Sequence, residues 1–165
     1  MRKLLVASLL ACLVAVTLLP VCAASWTERI SGGMSSAVPY GDFTVTLSAW
    51  DNGDGTFGGQ GQYYYPPSDR TFHLKVSRIC SGLVASGPFA GQPYVVAIGP
   101  VFGQDGTEVV NGYGAIAVAE GGTAGDGVRV WFDRTLEVVE DFCEAGAYDS
   151  FPAIVNDGNF NIRSK

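Results

Sequence analysis

The chain has 165 residues, with 10 Lys and Arg against 16 Asp and Glu, so its formal net charge is −6 at pH 7. An acidic surface repels phosphates and anionic headgroups, which argues against nucleic acid and anionic membranes as partners. Residues 1–24 combine Arg2 and Lys3, an apolar run closed by Pro20, and small residues at the end. These are the three parts of a secretory signal peptide.

Removal of the signal leaves residues 25–165 as one secreted β domain. It lowers the basic residues from 10 to 8 against 16 acidic residues, a net charge of −8. The apolar run is too short for a comfortable membrane span of about 20 residues. A lipid anchor on Cys22 is disfavoured by Val21, which is larger than the residue that such processing normally takes. The sequence therefore predicts an extracellular protein with no membrane contact after export.

The first strand predicted after the signal is Asp42–Trp50, in which Phe43, Val45, Leu47 and Ala49 alternate strictly with polar residues. The run 51–55, Asp-Asn-Gly-Asp-Gly, predicts a tight turn to the next strand. Further strands are predicted at Thr56–Tyr65, Arg70–Cys80, Leu83–Phe89, Tyr94–Phe102, Gly112–Ala119, Val128–Asp133 and Gly158–Arg163. The segment Arg134–Tyr148 is compatible with a short helix, a loop or an irregular strand.

This pattern predicts an all-β fold, a single antiparallel domain of about eight or nine strands. A sandwich and a barrel satisfy the periodicity equally well. We favour the barrel because closure removes the exposed strand edges that promote aggregation.

The mature chain keeps only two cysteines, Cys80 and Cys143, because Cys12 and Cys22 belong to the signal. In an exported protein, two cysteines predict one disulfide. The alternatives are two free thiols or half of a metal site. A metal site needs more Cys or His, and the chain has one His. We therefore predict the Cys80–Cys143 disulfide, with no metal and no cofactor, and we expect it to fasten Arg134–Tyr148 to the sheet.

Several motifs in order carry a family resemblance. Ser31-Gly32-Gly33 opens the mature chain, and a Gly-Gln-Gly-Gln-Tyr run follows at 59–63. The run 72–76, Phe-His-Leu-Lys-Val, then leads to a single Cys, and residues 157–162 close the chain. This order resembles a family of small secreted, largely uncharacterised bacterial proteins. The resemblance implies export and a single β domain, and it brings no catalytic residue or cofactor.

Three groups of residues invite a chemical interpretation. Asp51, Asn52 and Asp54 resemble a calcium loop, but glycines occupy the alternate positions that need oxygen ligands, so a hairpin turn is the better account. His73 is the only histidine, and no nucleophile motif accompanies it. The carboxylates between 137 and 144 could form a glycosidase pair, but such a run is typical of a solvated surface. No catalytic residue is predicted.

The aromatic residues are the more promising candidates for ligand binding. Flat rings exposed on a sheet can stack on sugars or anchor a protein interface, although rings at these positions can equally fill a core. The candidate ligand-binding residues are Trp50, Tyr63, Tyr65, His73 and Trp131.

Two functional hypotheses follow. The first is a secreted, non-enzymatic binding or structural module for a small molecule, a glycan or a protein. The second is a small β-barrel enzyme of the isomerase or cyclase type, which needs a deep pocket around a residue such as His73. A packed interior would weigh against a ligand or a reaction inside the barrel.

Overall fold

Ten strands, one α-helix and a short 3-10 turn at Pro66–Ser68 build the protein in a computed structural model, which describes residues 28–38, 41–122, 125–144, 153–154 and 157–164. The signal region predicted at 1–24 lies outside the described residues. The strands are β1 (Glu28–Val38), β2 (Gly41–Asp51), β3 (Phe57–Tyr65), β4 (Arg70–Lys75), β5 (Arg78–Leu83), β6 (Pro93–Gly103), β7 (Glu108–Gly122), β8 (Gly125–Arg134), β9 (Ala153–Ile154) and β10 (Asp157–Ser164), and helix α1 is Leu136–Glu144.

The strands form one antiparallel sheet in the order β10-β1-β2-β3-β4-β6-β7-β8-β9, with β5 paired to β6 beside this path. The sheet curls into a nearly closed barrel, so the all-β prediction and the preference for a barrel are confirmed. Nine strands lie along the path and a tenth flanks it, which is close to the eight or nine expected.

Apolar side chains fill the barrel. On β2, the predicted alternation holds, because Phe43, Val45, Leu47 and Ala49 are buried while Thr44 and Thr46 are exposed. We call the group that meets inside the barrel the interior cluster. It consists of Ile30, Phe43, Val45, Leu47, Ala49, Leu74, Val76, Ile79, Val95, Ala97, Val101, Ile116, Val118, Val128 and Phe160.

Strand β1 was not predicted as a strand, because it lacks the alternation of apolar residues that marks β2. Its inward position at Gly32 has no side chain, and a Cβ there would lie 2.3 Å from the Asn159 carbonyl oxygen. It would also lie 2.9 Å from Cδ1 of Phe160. The ring of Phe160 on β10 thus occupies the volume that an apolar side chain on β1 would otherwise fill.

The predicted strand Arg70–Cys80 is two strands. It breaks at Val76 and Ser77, whose backbone N–H groups turn to different partners, the carbonyls of Gly59 at 3.1 Å and Ile98 at 2.9 Å. Strand β6 is long enough to pair with β4 near its end and with β5 along its first half.

The strand predicted at Leu83–Phe89 is wrong. Strand β5 ends at Leu83, and the chain then folds into a loop closed by hydrogen bonds from Val84 N–H to the Gln92 carbonyl at 2.9 Å and from Gly91 N–H to the Val84 carbonyl at 2.8 Å. Val84 and Phe89 are buried, so the apolar residues of this segment reflect packing of the loop against the sheet and do not indicate a strand.

Helix α1 and this loop cover the outside of β5, β6 and β7. Beneath them lies a second apolar group, the outer cluster, consisting of Val84, Phe89, Tyr94, Val96, Ile98, Ala115, Ala117, Ala119, Trp131, Val139 and Cys143. The predicted disulfide is confirmed: Cys80 on β5 is bonded to Cys143 on α1, with their Cα atoms 5.4 Å apart. Arg78 adds ion pairs to Glu140 at 3.9 Å and Glu144 at 3.3 Å. The described part of the predicted segment Arg134–Tyr148 is therefore mostly helix, Leu136–Glu144, fastened to the sheet.

The two ends of the sheet meet through side chains. Asp126 on β8 is buried and accepts hydrogen bonds from the N–H groups of Gly121 at 3.0 Å and Phe160 at 2.7 Å. Glu120 on β7 accepts one from the N–H of Ile162 at 2.6 Å. Two carboxylates thus satisfy the free edge of β10 where a neighbouring strand would normally do so. We call this junction the seam.

The predicted turn at 51–55 is also confirmed, and its carboxylates serve the turn. Asp51 accepts from the Gly53 N–H at 2.7 Å, and Asp54 accepts from the Thr56 N–H at 2.9 Å and from its hydroxyl at 2.5 Å. Asp105 and Thr107 repeat this second arrangement between β6 and β7, at 3.0 Å and 2.6 Å.

These turns give the protein an expected sensitivity to acid. Hydrogen bonds from the hydroxyl and the backbone N–H of Thr56 lower the pKa of Asp54 below the usual range of an aspartate. Thr107 lowers the pKa of Asp105 in the same way. The unfolded chain lacks these bonds and therefore takes up protons at a higher pH. The stabilisation is present above about pH 4 and is lost as the pH falls through the lowered pKa values.

We expect thermal unfolding followed by circular dichroism to show a falling Tm between about pH 4 and pH 2. The double substitution Asp54→Asn and Asp105→Asn removes both titrating groups, so its Tm should change less over that interval. A double variant that loses as much Tm as the unmodified protein on acidification contradicts this origin of the acid sensitivity.

Candidate functional site

One part of the barrel's outer surface carries neither the helix nor the loop. It is formed by β10, β1, β2, β3 and β4, whose outward positions line up in rows through the strand pairing, and three of these rows lie side by side at the end that carries Trp50. We call this surface the open face. The first row is Arg163, Arg29, Trp50 and Gly58; the second is Asn161, Ser31, Ser48, Gln60 and Lys75; the third is Asn159, Gly33, Thr46, Gln62 and His73.

Trp50 lies flat on this surface. A Cβ built on Gly58, its partner on β3, would lie 2.8–2.9 Å from three adjacent atoms of the Trp50 indole. The ring therefore lies across the backbone of β3, over a position that only glycine leaves free. The side chain is still 36% exposed, so the ring presents a surface to solvent. A flat, supported aromatic surface is suited to stacking.

A groove of about 470 Å³ runs across the second and third rows. Its sides include Gln60, Gln62, His73 and Lys75, and Phe102 of β6 stands beside His73 in the register. A smaller recess of about 230 Å³ adjoins it, lined by Thr44, Thr46, Gln62 and Tyr64. Amide and hydroxyl groups, which both donate and accept hydrogen bonds, therefore surround the groove.

The charge of these three rows is opposite to that of the protein. They contain Arg29, Lys75 and Arg163 and no Asp or Glu, and the nearest acidic residues at outward positions of the register are Asp157 on β10 and Asp42 on β2, beyond the third row. The acidic residue next to Arg29 is Glu28, which lies on the inward side of β1. Burial raises the pKa of the Glu28 carboxyl, while a hydrogen bond with Ser81 opposes that shift. A cationic patch thus lies on a chain that has 16 acidic and 10 basic residues.

The structure separates the five candidate residues that the sequence suggested. Trp50 and His73 are on the open face. Tyr63 packs against the interior cluster, with its ring 5.7 Å from Phe43 and 5.1 Å from Phe132 between centroids.

Trp131, a candidate ligand-binding residue from the sequence, is only 8% exposed, because its ring stacks on Phe142 of α1 with 4.6 Å between centroids. Arg129 approaches the same ring to 4.6 Å. The backbone of Tyr65 pairs with Arg70 in the sheet, and its side chain lies outside the described part of the molecule.

Comparison of the chain with protein-family models, with curated protein sequences and with solved structures found no match. The resemblance to small secreted bacterial proteins stays a prediction. Within the described ranges, no helix has the length and apolar character to cross a membrane. Nor do those ranges bring together three His, Cys, Asp or Glu side chains that could hold a metal ion.

Four residues of this surface are not among the site residues predicted from the sequence: Arg29, Gln60, Gln62 and Arg163. Three of them, Gln60, Gln62 and Arg163, are polar residues within predicted strands, whereas Arg29 lies on β1, which the sequence does not predict as a strand. What the sequence could not supply is the register that places Arg163 and Arg29 beside Trp50. That register joins strands from opposite ends of the described chain.

Proposed function

We propose that the protein is a secreted carbohydrate-binding module whose open face binds a glycan chain. The observation that carries the proposal is the indole of Trp50, which lies flat over Gly58 and stays exposed. Sugar rings have one apolar face that stacks on such a surface, and their edges bear hydroxyl groups. Burying an indole on a binding partner is among the most favourable single contacts available to a protein.

The polar groups around Trp50 fit the edges of a sugar. Gln60, Gln62 and Asn159 offer amide groups, and Ser31 and Thr46 offer hydroxyls, all on the surface that presents the indole. No other residue of the described chain holds the amides of Gln60 and Gln62, so both are available to a ligand. Each amide donates and accepts at once, which matches the pattern of a vicinal diol.

A glycan explains this surface better than the other ligands considered. The core of a protein interface is rich in apolar groups, and the three rows contain no Val, Leu, Ile or Met. A small apolar ligand inside the barrel would compete with the interior cluster for the same space. A reaction at His73 would need a neighbouring group that exchanges protons with it. The residues directly opposite it in the register, Gln62 and Phe102, do not, and Lys75 is the one other ionisable side chain among the described residues that line the groove.

Replacement of Trp50 by alanine is expected to weaken glycan binding by at least tenfold, because the stacking surface is lost. Binding is measured by affinity gel electrophoresis against a panel of soluble polysaccharides, with titration of the polymers that retard the protein. Leu83→Ala is the matched control, since Leu83 is a large apolar residue, 66% exposed, on β5. It should leave the affinity unchanged.

Trp50→Phe tests the same contact with less risk to folding, because a smaller ring still covers Gly58. Its affinity should fall between those of the unmodified protein and Trp50→Ala. Equal affinities of the unmodified protein and Trp50→Ala, with Tm values confirming that both are folded, would exclude the open face as the site.

A further inference from the structure

The first row of the open face places two arginines side by side. Arg163 on β10 and Arg29 on β1 are directly opposite each other, and Arg29 is directly opposite Trp50 on β2. All three side chains are exposed. Like charges at directly opposite positions destabilise a sheet, so this pair weakens the pairing of β1 with β10. A contact that costs stability calls for an explanation outside the fold.

Neither arginine is neutralised by the part of the protein that the structure describes. The described residues provide no carboxylate within ion-pair distance of Arg29 or Arg163. The one printed contact is polar and uncharged: Nε of Arg163 donates to Oδ1 of Asn161 at 2.8 Å. This bond orients the Arg163 guanidinium without cancelling its charge. Both cations therefore face solvent unpaired, next to the proposed stacking surface.

The spacing of the row suits a linear polymer. Neighbouring strands lie about 4.8 Å apart, so Arg163, Arg29 and Trp50 follow one another at steps of about that length. One step is close to the length of a single sugar residue in an extended polysaccharide. A chain lying along the row would place one ring on Trp50 and the substituents of the next two residues above the guanidinium groups.

We infer that the glycan bound by the open face is anionic, a polysaccharide bearing carboxylate or sulfate groups along its length. This inference rests on the proposed function. A guanidinium presents paired N–H donors in a plane, which match the two oxygens of a carboxylate or sulfate. A chain with a formal net charge of −6 would otherwise repel such a polymer, so attraction has to come from a surface that is locally cationic. The three rows are such a surface, and Lys75 in the second row adds to the charge.

The test compares pairs of polymers that share a sugar backbone and differ in charge. Homogalacturonan is used in fully methyl-esterified and de-esterified forms, and hydroxyethyl cellulose is compared with carboxymethyl cellulose. Polyglutamate serves as a polyanion without sugars. Affinities are measured for the unmodified protein, Arg29→Gln, Arg163→Gln, the double variant and Trp50→Ala. Arg134→Gln, which removes an exposed positive charge at the end of β8, is the control for net charge.

The unmodified protein is expected to bind the anionic member of at least one pair at least tenfold more tightly than the neutral member. The double arginine variant should lose that difference, and Arg134→Gln should keep it. Raising the salt concentration should weaken binding of the anionic polymer more than that of the neutral one.

Two failures are distinguishable. Equal binding of the neutral and anionic members, lost in Trp50→Ala and kept in the double arginine variant, overturns the anionic inference and leaves the glycan-binding proposal standing. Binding of polyglutamate as tight as that of the sugars, unchanged in Trp50→Ala, overturns the glycan-binding proposal. The absence of binding to all five polymers counts against both.

Discussion

Replacement of Asp126 by alanine is expected to lower the free energy of unfolding by about 3 kcal/mol. Its two carboxylate oxygens accept from the N–H groups of Gly121 and Phe160, and the side chain is buried. Truncation leaves the Phe160 N–H without an acceptor where water reaches poorly, which costs about 1–3 kcal/mol for that group alone. Since Phe160 belongs to the interior cluster, movement of β10 also disturbs the packing inside the barrel.

Urea unfolding followed by circular dichroism measures this loss. Asp51→Ala is the matched control, because Asp51 accepts a backbone N–H at 2.7 Å within a surface turn, and its removal should cost about 1 kcal/mol or less. If Asp126→Ala does not fold, Asp126→Asn keeps one acceptor and should lose roughly half as much stability. A loss in Asp126→Ala no larger than in Asp51→Ala would show that the seam does not hold the barrel together.

Removal of the disulfide by the double substitution Cys80→Ser and Cys143→Ser should cost about 4 kcal/mol. The bond spans a sequence separation of 63 residues, and the chain entropy released by opening a loop of that length accounts for this value. The effect should be concentrated in α1, which loses its covalent attachment to β5 and keeps only the ion pairs of Arg78 and the contacts of the outer cluster.

The indole of Trp131 reports this local effect. It is buried against Phe142 of α1, so release of the helix should shift its fluorescence to longer wavelength before the barrel unfolds. Trp26 and Trp50 also contribute to the signal, and Trp26→Phe together with Trp50→Phe, in both the intact and the disulfide-free protein, removes their contributions. Reduction of the unmodified protein should reproduce the behaviour of the double variant. A single transition with unchanged midpoint in both proteins contradicts a stabilising role for the bond.

The alternation of residues predicted the strands that have one buried and one solvated face. Strand β2 is the clearest example, with Phe43 and Val45 inside and Thr44 and Thr46 outside. Strand prediction from alternation was wrong where residues on the outside of the sheet are also buried, because buried loop residues are then apolar as well. Leu83–Phe89 has the apolar content of a strand because Val84 and Phe89 belong to a loop that packs on the outside of the sheet.

Trp131 shows the same limit at the level of the candidate site. Its position within β8 indicates an outward side chain, and the side chain does point outward. Whether an outward ring meets solvent depends on α1, which reaches it through contacts that periodicity within β8 cannot reveal. Trp50 occupies a comparable position and remains exposed. The sequence could therefore nominate both rings, and only tertiary structure could separate them.

The disulfide was predictable because two of the four cysteines fall in the predicted signal, which leaves one pairing for the rest of the chain. The open face was not, because its cationic row combines residues from β10, β1 and β2. Arg29 and Arg163 look like ordinary surface residues until the strand register brings them together. Strand pairing between distant segments is the information that local patterns lack.

The position of β1 between β2 and β10 sets the order in which the molecule can be completed. While a ribosome is still synthesising the chain, β1 can pair with β2, but its other edge has no partner until residues 157–164 emerge. The carboxylates of Glu120 and Asp126 accept hydrogen bonds from N–H groups of the same segment, so they lack these donors until it emerges. The barrel therefore closes only once β10, the last of the described strands along the chain, is available to pair with β1. Until then, β1 offers an unpaired edge on which a second nascent chain could pair by mistake.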